Sequence, residues 1–336
     1  MAGSERGNAP GALTRLKAVA VRGQEKFDPV LNALFLFRPT LFIPALIISV
    51  AGLAAGRATF QRYFFWRADW SWTGLLLFTG VTLITAASFA NAKPGEGGEL
   101  ALKGYPSPPA ARSGTADTAR RLGRIVLVLG LVLMLPAGWL AVAGGGALYL
   151  FWGQLYAARV ALWKSNLALE TALHTLAGMA LFYIGWAASG APLTGNLPVA
   201  APYALMLAAF GAHIAITHGP AEDRAAALPS RNLVAGVSAF AATATVLAAA
   251  LGMKFSDPVI STSAILTLPF FVVALVLRRN RDIVYSSRYG LLIIGILVGS
   301  RYPWLYVPTI LLFYLSRYYY RRHLGLLHPT FQSYHP

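Results

Sequence analysis

Two short stretches gather carboxylates and cations where the rest of the chain is apolar. The first, "SFANAKPGEGGELALKGYPSP" over residues 88–108, places Glu96 and Glu99 between Lys93 and Lys103 in a run of Gly and Pro. The second, "ITHGPAEDRAAALPSR" over residues 216–231, places Glu222 and Asp223 beside Arg224 and Arg231. Each pair is a cluster of hard oxygens of the kind that suits Mg²⁺. That ion takes one or two protein carboxylates and completes its shell with water and phosphate oxygens. Lys103, Lys164, Arg224 and Arg231 supply positive charge for the same phosphates. The chemistry suggested is capture of a diphosphate through metal, with an apolar tail running away from it. Ordinary solvated loops would show the same residues, since a Glu–Glu pair at spacing three is a short motif with many chance matches.

The elements that must position these loops follow from composition. The chain has 336 residues, 57% hydrophobic and 12% charged, against about 25% charged in soluble domains. Its mean hydropathy is +0.57. Repeated apolar runs of about 18 to 22 residues fit the length of a bilayer helix. In lipid each segment must satisfy its own backbone hydrogen bonds, which helices do. Short alternating strands of the porin type are absent. The class expected is an all-α polytopic membrane protein with nine or ten transmembrane helices.

A net charge of +16 would suggest nucleic acid in a soluble protein. Here it points to basic cytoplasmic loops facing anionic lipid head groups, and no nucleic-acid partner is expected. The sequence has no cysteine, which excludes disulfides, thiolate catalysis and cysteine-ligated metals. The first 30 residues are basic and polar without an apolar core of signal-peptide length, and read as a cytosolic tail.

Spans are expected near 37–57, 71–92, 122–143, 145–163, 170–188, 199–217, 232–251 and 258–277. The last apolar region, 283–320, is interrupted by "SRYPW" at 300–304, giving one kinked span or two short ones that turn at Pro303. A cytoplasmic N-terminus puts most Lys and Arg inside, although Arg57, Arg62 and Arg67 fall in the first outer loop. The basic tail "RYYYRRH" favours ten spans over nine. Both acidic loops then lie on the cytoplasmic face, four spans apart, and hold four of the chain's 12 acidic residues. The domain division is a tail over 1–30, one helical domain over 31–320 and a basic tail over 321–336.

The order of spans and loops resembles the UbiA superfamily of intramembrane prenyltransferases, over nearly the whole chain. That family's first motif is Asn-x-x-x-Asp-x-x-x-Asp after the second span, followed by Lys and Arg-Pro. Here Asn91 matches the first position and Glu99 the third, with Glu for Asp. Gly95 stands at the middle position with Glu96 adjacent, and Lys103 precedes "YPSP", which lacks the arginine. The second motif, Asp-x-x-x-Asp after the sixth span, is matched by His218 and Glu222, with Asp223 and Arg224 following. "FRPTLFIP" at 37–44 is also similar, as are 155–186, including Lys164 and Asn166, and the tail "LSRYYYRRHLGLLHPTF".

The resemblance implies helices around a central lipid-accessible cavity, in a bacterial inner membrane, with the active loops on the cytoplasmic face. It implies Mg²⁺ held by Glu96, Glu99, Glu222 and Asp223. Asn91, Lys103, Lys164, Asn166 and Arg224 would have catalytic roles, and His218 and Arg231 would contact substrate. The substrates would be a polyprenyl diphosphate and an aromatic or other apolar acceptor. Metal and cations would stabilise the leaving diphosphate. Aromatic faces, among them Tyr156, Trp163, Tyr183 or Tyr203, would stabilise the allylic cation. His218 is a poor magnesium ligand, since imidazole suits softer metals; it also fits a diphosphate donor or a helix cap.

Gly95 and His218 stand where acids are expected. They favour a different class, a non-catalytic UbiA-like protein that binds a lipid or quinone or serves a membrane complex. A transporter would need ionisable residues at mid-membrane depth, and only Glu170 lies near a span. His174 with His213 also fits haem ligation, although they form no metal-ligand spacing.

Overall fold

The computed structural model describes residues 42–60, 72–91, 115–156, 167–195, 258–277 and 280–324. It also describes parts of 30–39 and positions 201, 246 and 250. Every regular element among these residues is helical. In chain order they are α1 (Phe42–Phe60), α2 (Trp72–Phe89), α3 (Thr115–Leu133), α4 (Trp139–Leu148), a π-helical segment (Tyr149–Tyr156), α5 (Leu167–Ala188), α6 (Pro258–Leu277), α7 (Asn280–Arg301) and α8 (Tyr306–Leu324). The spans expected at 199–217 and 232–251 fall almost wholly outside the described residues, as do both acidic loops.

Small residues decide how these helices meet. Gly52 of α1 faces Phe182 of α5 and Gly56 faces Ser189, so α1 and α5 run parallel. A Cβ on Gly52 would run into the Phe182 carbonyl, and one on Gly185 into the Ser49 carbonyl. Backbones this close are the usual result of glycines spaced four apart, where packing rather than water exclusion joins helices. Gly80 of α2 faces Met134 while Gly123 of α3 faces Ala90, so those two run antiparallel. Gly144 of α4 faces Ile184, and Trp152 just beyond α4 bonds to His174, so α4 opposes α5. The chain thus reverses direction at each step from α1 to α5.

The boundary between the third and fourth spans differs from the expected one. The spans expected near 122–143 and 145–163 put a break at about residue 144, but residues 143–146 are inside α4. The chain breaks earlier, in a 3₁₀ turn over Leu135–Ala137 with proline in its first positions, followed by Gly138 at φ 97°. Proline stops the preceding helix, and only glycine takes that positive φ without strain.

The region 283–320 forms two helices. A 3₁₀ turn at Pro303–Leu305 separates α7 from α8, and Trp304 there packs edge-on against Phe78 near the start of α2. At the other end of α8, Tyr319 stacks on Phe35 with ring centroids 3.7 Å apart, and its hydroxyl donates to Asn32 Oδ1 at 3.2 Å. α8 therefore returns to the end of the bundle where α1 begins.

The described surface is apolar. Leu129, Val132, Val276, Val307 and Leu311 are all exposed, while the buried set includes Ser49, Thr85, Ser88, His174 and Thr267. Trp72 and Trp139, which open α2 and α4 at one end, are 79% and 75% exposed, as interfacial anchors would be. By length and composition alone, one described helix suffices to cross a membrane, over Thr171–Ala188. Phe42–Arg57, Gly74–Phe89, Ile265–Leu277 and Tyr289–Arg301 are shorter apolar helices.

Candidate functional site

α2 ends at Phe89, and Asn91 stands two residues beyond it as the last described residue before the first acidic loop. Its carboxamide is half-buried. Nδ2 donates to the Tyr149 hydroxyl at 3.1 Å and lies 3.4 Å from the Gly153 carbonyl oxygen. Both partners belong to the π-helical segment.

The π geometry is what brings them together. In an α-helix, residues five apart point about 140° from one another. Bonding from i to i+5 widens the turn and brings them closer in direction. Tyr149 and Gln154 are five apart, and Gln154 Nε2 donates to the Tyr149 hydroxyl at 2.8 Å. Gly153 lies between them because a Cβ there would come 3.1 Å from Ser88 Cα and 2.9 Å from the Tyr149 ring. Without a side chain, the segment rests directly on the end of α2.

The other face of the same segment meets α5. Trp152 Nε1 donates to Nδ1 of His174 at 3.1 Å, and the Tyr156 ring meets the imidazole edge-on at 4.4 Å between centroids. Phe89 closes the group against Trp152 at 5.4 Å. With Nδ1 accepting, a neutral His174 has its proton on Nε2, an assignment that follows from the hydrogen bond. His174 is a packed core histidine, and His213, its suggested haem partner, lies outside the described residues.

Two of the residues singled out in the sequence, Asn91 and Tyr156, therefore sit on two faces of one segment. Tyr183 packs against Phe182 within α5. Glu96, Glu99, Lys103, Lys164, Asn166, His218, Glu222, Asp223, Arg224 and Arg231 lie outside the described residues, as do Trp163 and Tyr203. Among the described residues no three His, Asp or Glu side chains group as a metal site. Tyr149, Trp152 and Gln154 were not among the candidates. The available signal was aromatic and polar residues at 149, 152, 154 and 156, ahead of Lys164 in the sequence.

Exposed cations surround this end of the bundle. Arg120, Arg121 and Arg124 lie along the first half of α3, with Arg120 3.4 Å from Asp117. Arg317, Arg321 and Arg322 end α8.

A solved structure of a digeranylgeranylglyceryl phosphate synthase matches this architecture with a TM-score of 0.53, covering 80% of this chain and 96% of that one at 19% identity. The chain shares the fold of that synthase. No protein-family model and no curated protein matches the sequence. The fold brings Asn91 and the π segment together at one end of α2, α4 and α5.

Proposed function

We propose that the chain is an integral-membrane prenyltransferase of UbiA type. It would move a prenyl group from a polyprenyl diphosphate to an aromatic or other lipophilic acceptor, with both acidic loops on the cytoplasmic face of a bacterial inner membrane. The observation that supports this most is the place of Asn91. The first residue of the first acidic motif stands at the end of α2, its amide nitrogen committed to Tyr149 and Gly153. The carboxamide then offers Oδ1, a hard oxygen of the type Mg²⁺ takes. The exposed apolar surface and the two exposed tryptophans at one end support the membrane setting.

The donor set supports magnesium rather than a softer ion: Asn91, Glu96 and Glu99 on one loop, Glu222 and Asp223 on the other. When bound, the metal neutralises charge on the departing diphosphate. Lys103, Lys164, Arg224 and Arg231 would hold phosphate oxygens, and Asn166 would share the catalytic role. His218 donates to the diphosphate rather than binding metal. In the reaction the allylic C–O bond breaks and its electron pair leaves on the diphosphate. The acceptor bonds to the allylic carbon and releases a proton. Tyr156, held edge-on to His174, supports the transient cation through its ring face.

Purified protein incubated with radiolabelled prenyl diphosphates and a panel of apolar acceptors, with and without Mg²⁺, tests this. Label should move to an acceptor only with the metal. Absence of transfer with every donor would leave a UbiA-like protein that binds a lipid or quinone.

A further inference from the structure

We propose that Arg57 and Arg301 form a site for the phosphate of a phospholipid head group, at the end of the bundle opposite Asn91. Arg57, expected in an outer loop, lies instead in the last turn of α1. Arg301 is the last residue of α7. Trp304, three residues on, fills the space beside Gly74 in the first turn of α2, so α7 ends where α1 ends and α2 begins. Arg301 is only 5% exposed, with its guanidinium 5.8 Å from the centre of the buried Tyr302 ring. Arg57 is half-buried and within electrostatic range of both Arg301 and Tyr302.

Two guanidinium groups away from bulk water repel each other strongly. The carbonyl end of a helix suits a cation, but that effect belongs to each helix alone and gives no reason to bring the two together. The sequence adds more positive charge here. Residues 57–71 and 301–305 hold Arg57, Arg62, Arg67 and Arg301 against Asp69 as their one acid. With that aspartate ionised and paired, three positive charges are still in excess. In the expected topology this is also the face where Lys and Arg are usually few. Phosphate oxygens from outside the chain balance the excess, and guanidinium grips them with parallel N–H donors.

The neighbouring surface favours a lipid over free phosphate. Trp72, at the start of α2, is largely exposed. The Tyr306 hydroxyl donates to the Ile296 carbonyl at 2.7 Å, which holds the start of α8 against the last turns of α7. Val307 and Leu311 beyond it are exposed. Acyl chains then lie along α8, with the indole of Trp72 at head-group depth.

The test follows binding of dioleoylphosphatidylglycerol to the full chain in detergent by native mass spectrometry. Dioleoylglycerol, with the same chains and no phosphate, is the control. Arg57→Gln should weaken phosphatidylglycerol about tenfold, the scale of one lost hydrogen bond to a charged group. Dioleoylglycerol binding should not change, and Arg121→Gln at the other end should leave both lipids unaffected. Equal weakening by Arg121→Gln would mean diffuse attraction and overturn the site. Wild type that prefers neither lipid overturns it too. Displacement of the lipid by millimolar inorganic phosphate would assign the site to the free ion and contradict the lipid. If phosphatidylglycerol binds only to Asp69→Asn, that aspartate already fills the place and the proposal falls. Should Arg57→Gln not fold, wild type is photo-crosslinked to phosphatidylglycerol carrying a diazirine on its head group. Label should fall within 301–307, and label confined elsewhere contradicts the site.

Discussion

Asn91 and Tyr149 lie 58 residues apart in sequence and meet through a 3.1 Å hydrogen bond from amide to phenol. The bond ties the end of α2, ahead of the first acidic stretch, to the π segment that follows α4. If it orients the Asn91 oxygen for the site, Asn91→Leu should lower prenyl transfer at least about tenfold, or 1.4 kcal/mol. The folding cost should be smaller, about 1 kcal/mol for one net hydrogen bond. Transfer assays beside thermal unfolding in detergent separate the two, and equal loss in both would mean a structural role only.

The Trp152–His174 bond should matter chiefly for stability. His174→Phe keeps the ring packing but leaves a buried indole N–H without its acceptor, which should cost about 1–3 kcal/mol. Adding Trp152→Phe should recover part of that loss, because both polar partners are then gone. Additive losses from thermal unfolding of the single and double variants would contradict the pairing.

The α1–α5 crossing admits no side chain at Gly52 or Gly185. Gly185→Val should therefore reduce folded protein sharply, by about 3 kcal/mol or more, since a backbone carbonyl cannot move aside as a side chain can. Gly146→Ala, where a Cβ meets nothing within 4 Å, is the control and should be tolerated. Yields of monodisperse protein from the two variants give the comparison.

The return of α8 predicts both termini on one face of the membrane. The chain has no native cysteine, so Asn32→Cys with Tyr319→Cys should cross-link cleanly under mild oxidation. A reporter at the C-terminus should be active in the cytoplasm. A C-terminal reporter active only in the periplasm would refute this topology.

The sequence announced most of the described helices because apolar runs of span length have few alternatives in lipid. Pro303 marked the α7–α8 turn correctly, since proline there cannot continue a helix. The α3–α4 break was misplaced because three consecutive glycines at 144–146 resemble a loop more than Pro136 with Gly138 does. In the folded chain Gly144 and Gly145 instead let Ile184 and Ile84 approach. The site was only partly readable. Asn91 and Tyr156 stood out through resemblance, whereas Tyr149, Trp152 and Gln154 depend on a π turn that no periodicity of 3.6 foretells. Their partners lie on other helices, and one sequence does not show such pairings.

If the acidic loops drive metal-dependent prenyl transfer, turnover in carboxylate variants measures it most directly. Glu99→Gln and Glu222→Gln keep size and hydrogen bonding but remove the charge a hard cation needs. Each should cut Mg²⁺-dependent transfer at least about a hundredfold, or 2.7 kcal/mol, with the folded protein intact. His218→Asp should preserve or raise activity. Transfer that survives both Gln variants would place the diphosphate elsewhere. If wild type transfers nothing, and His218→Asp with Gly95→Asp does not create activity, the chain is not an enzyme.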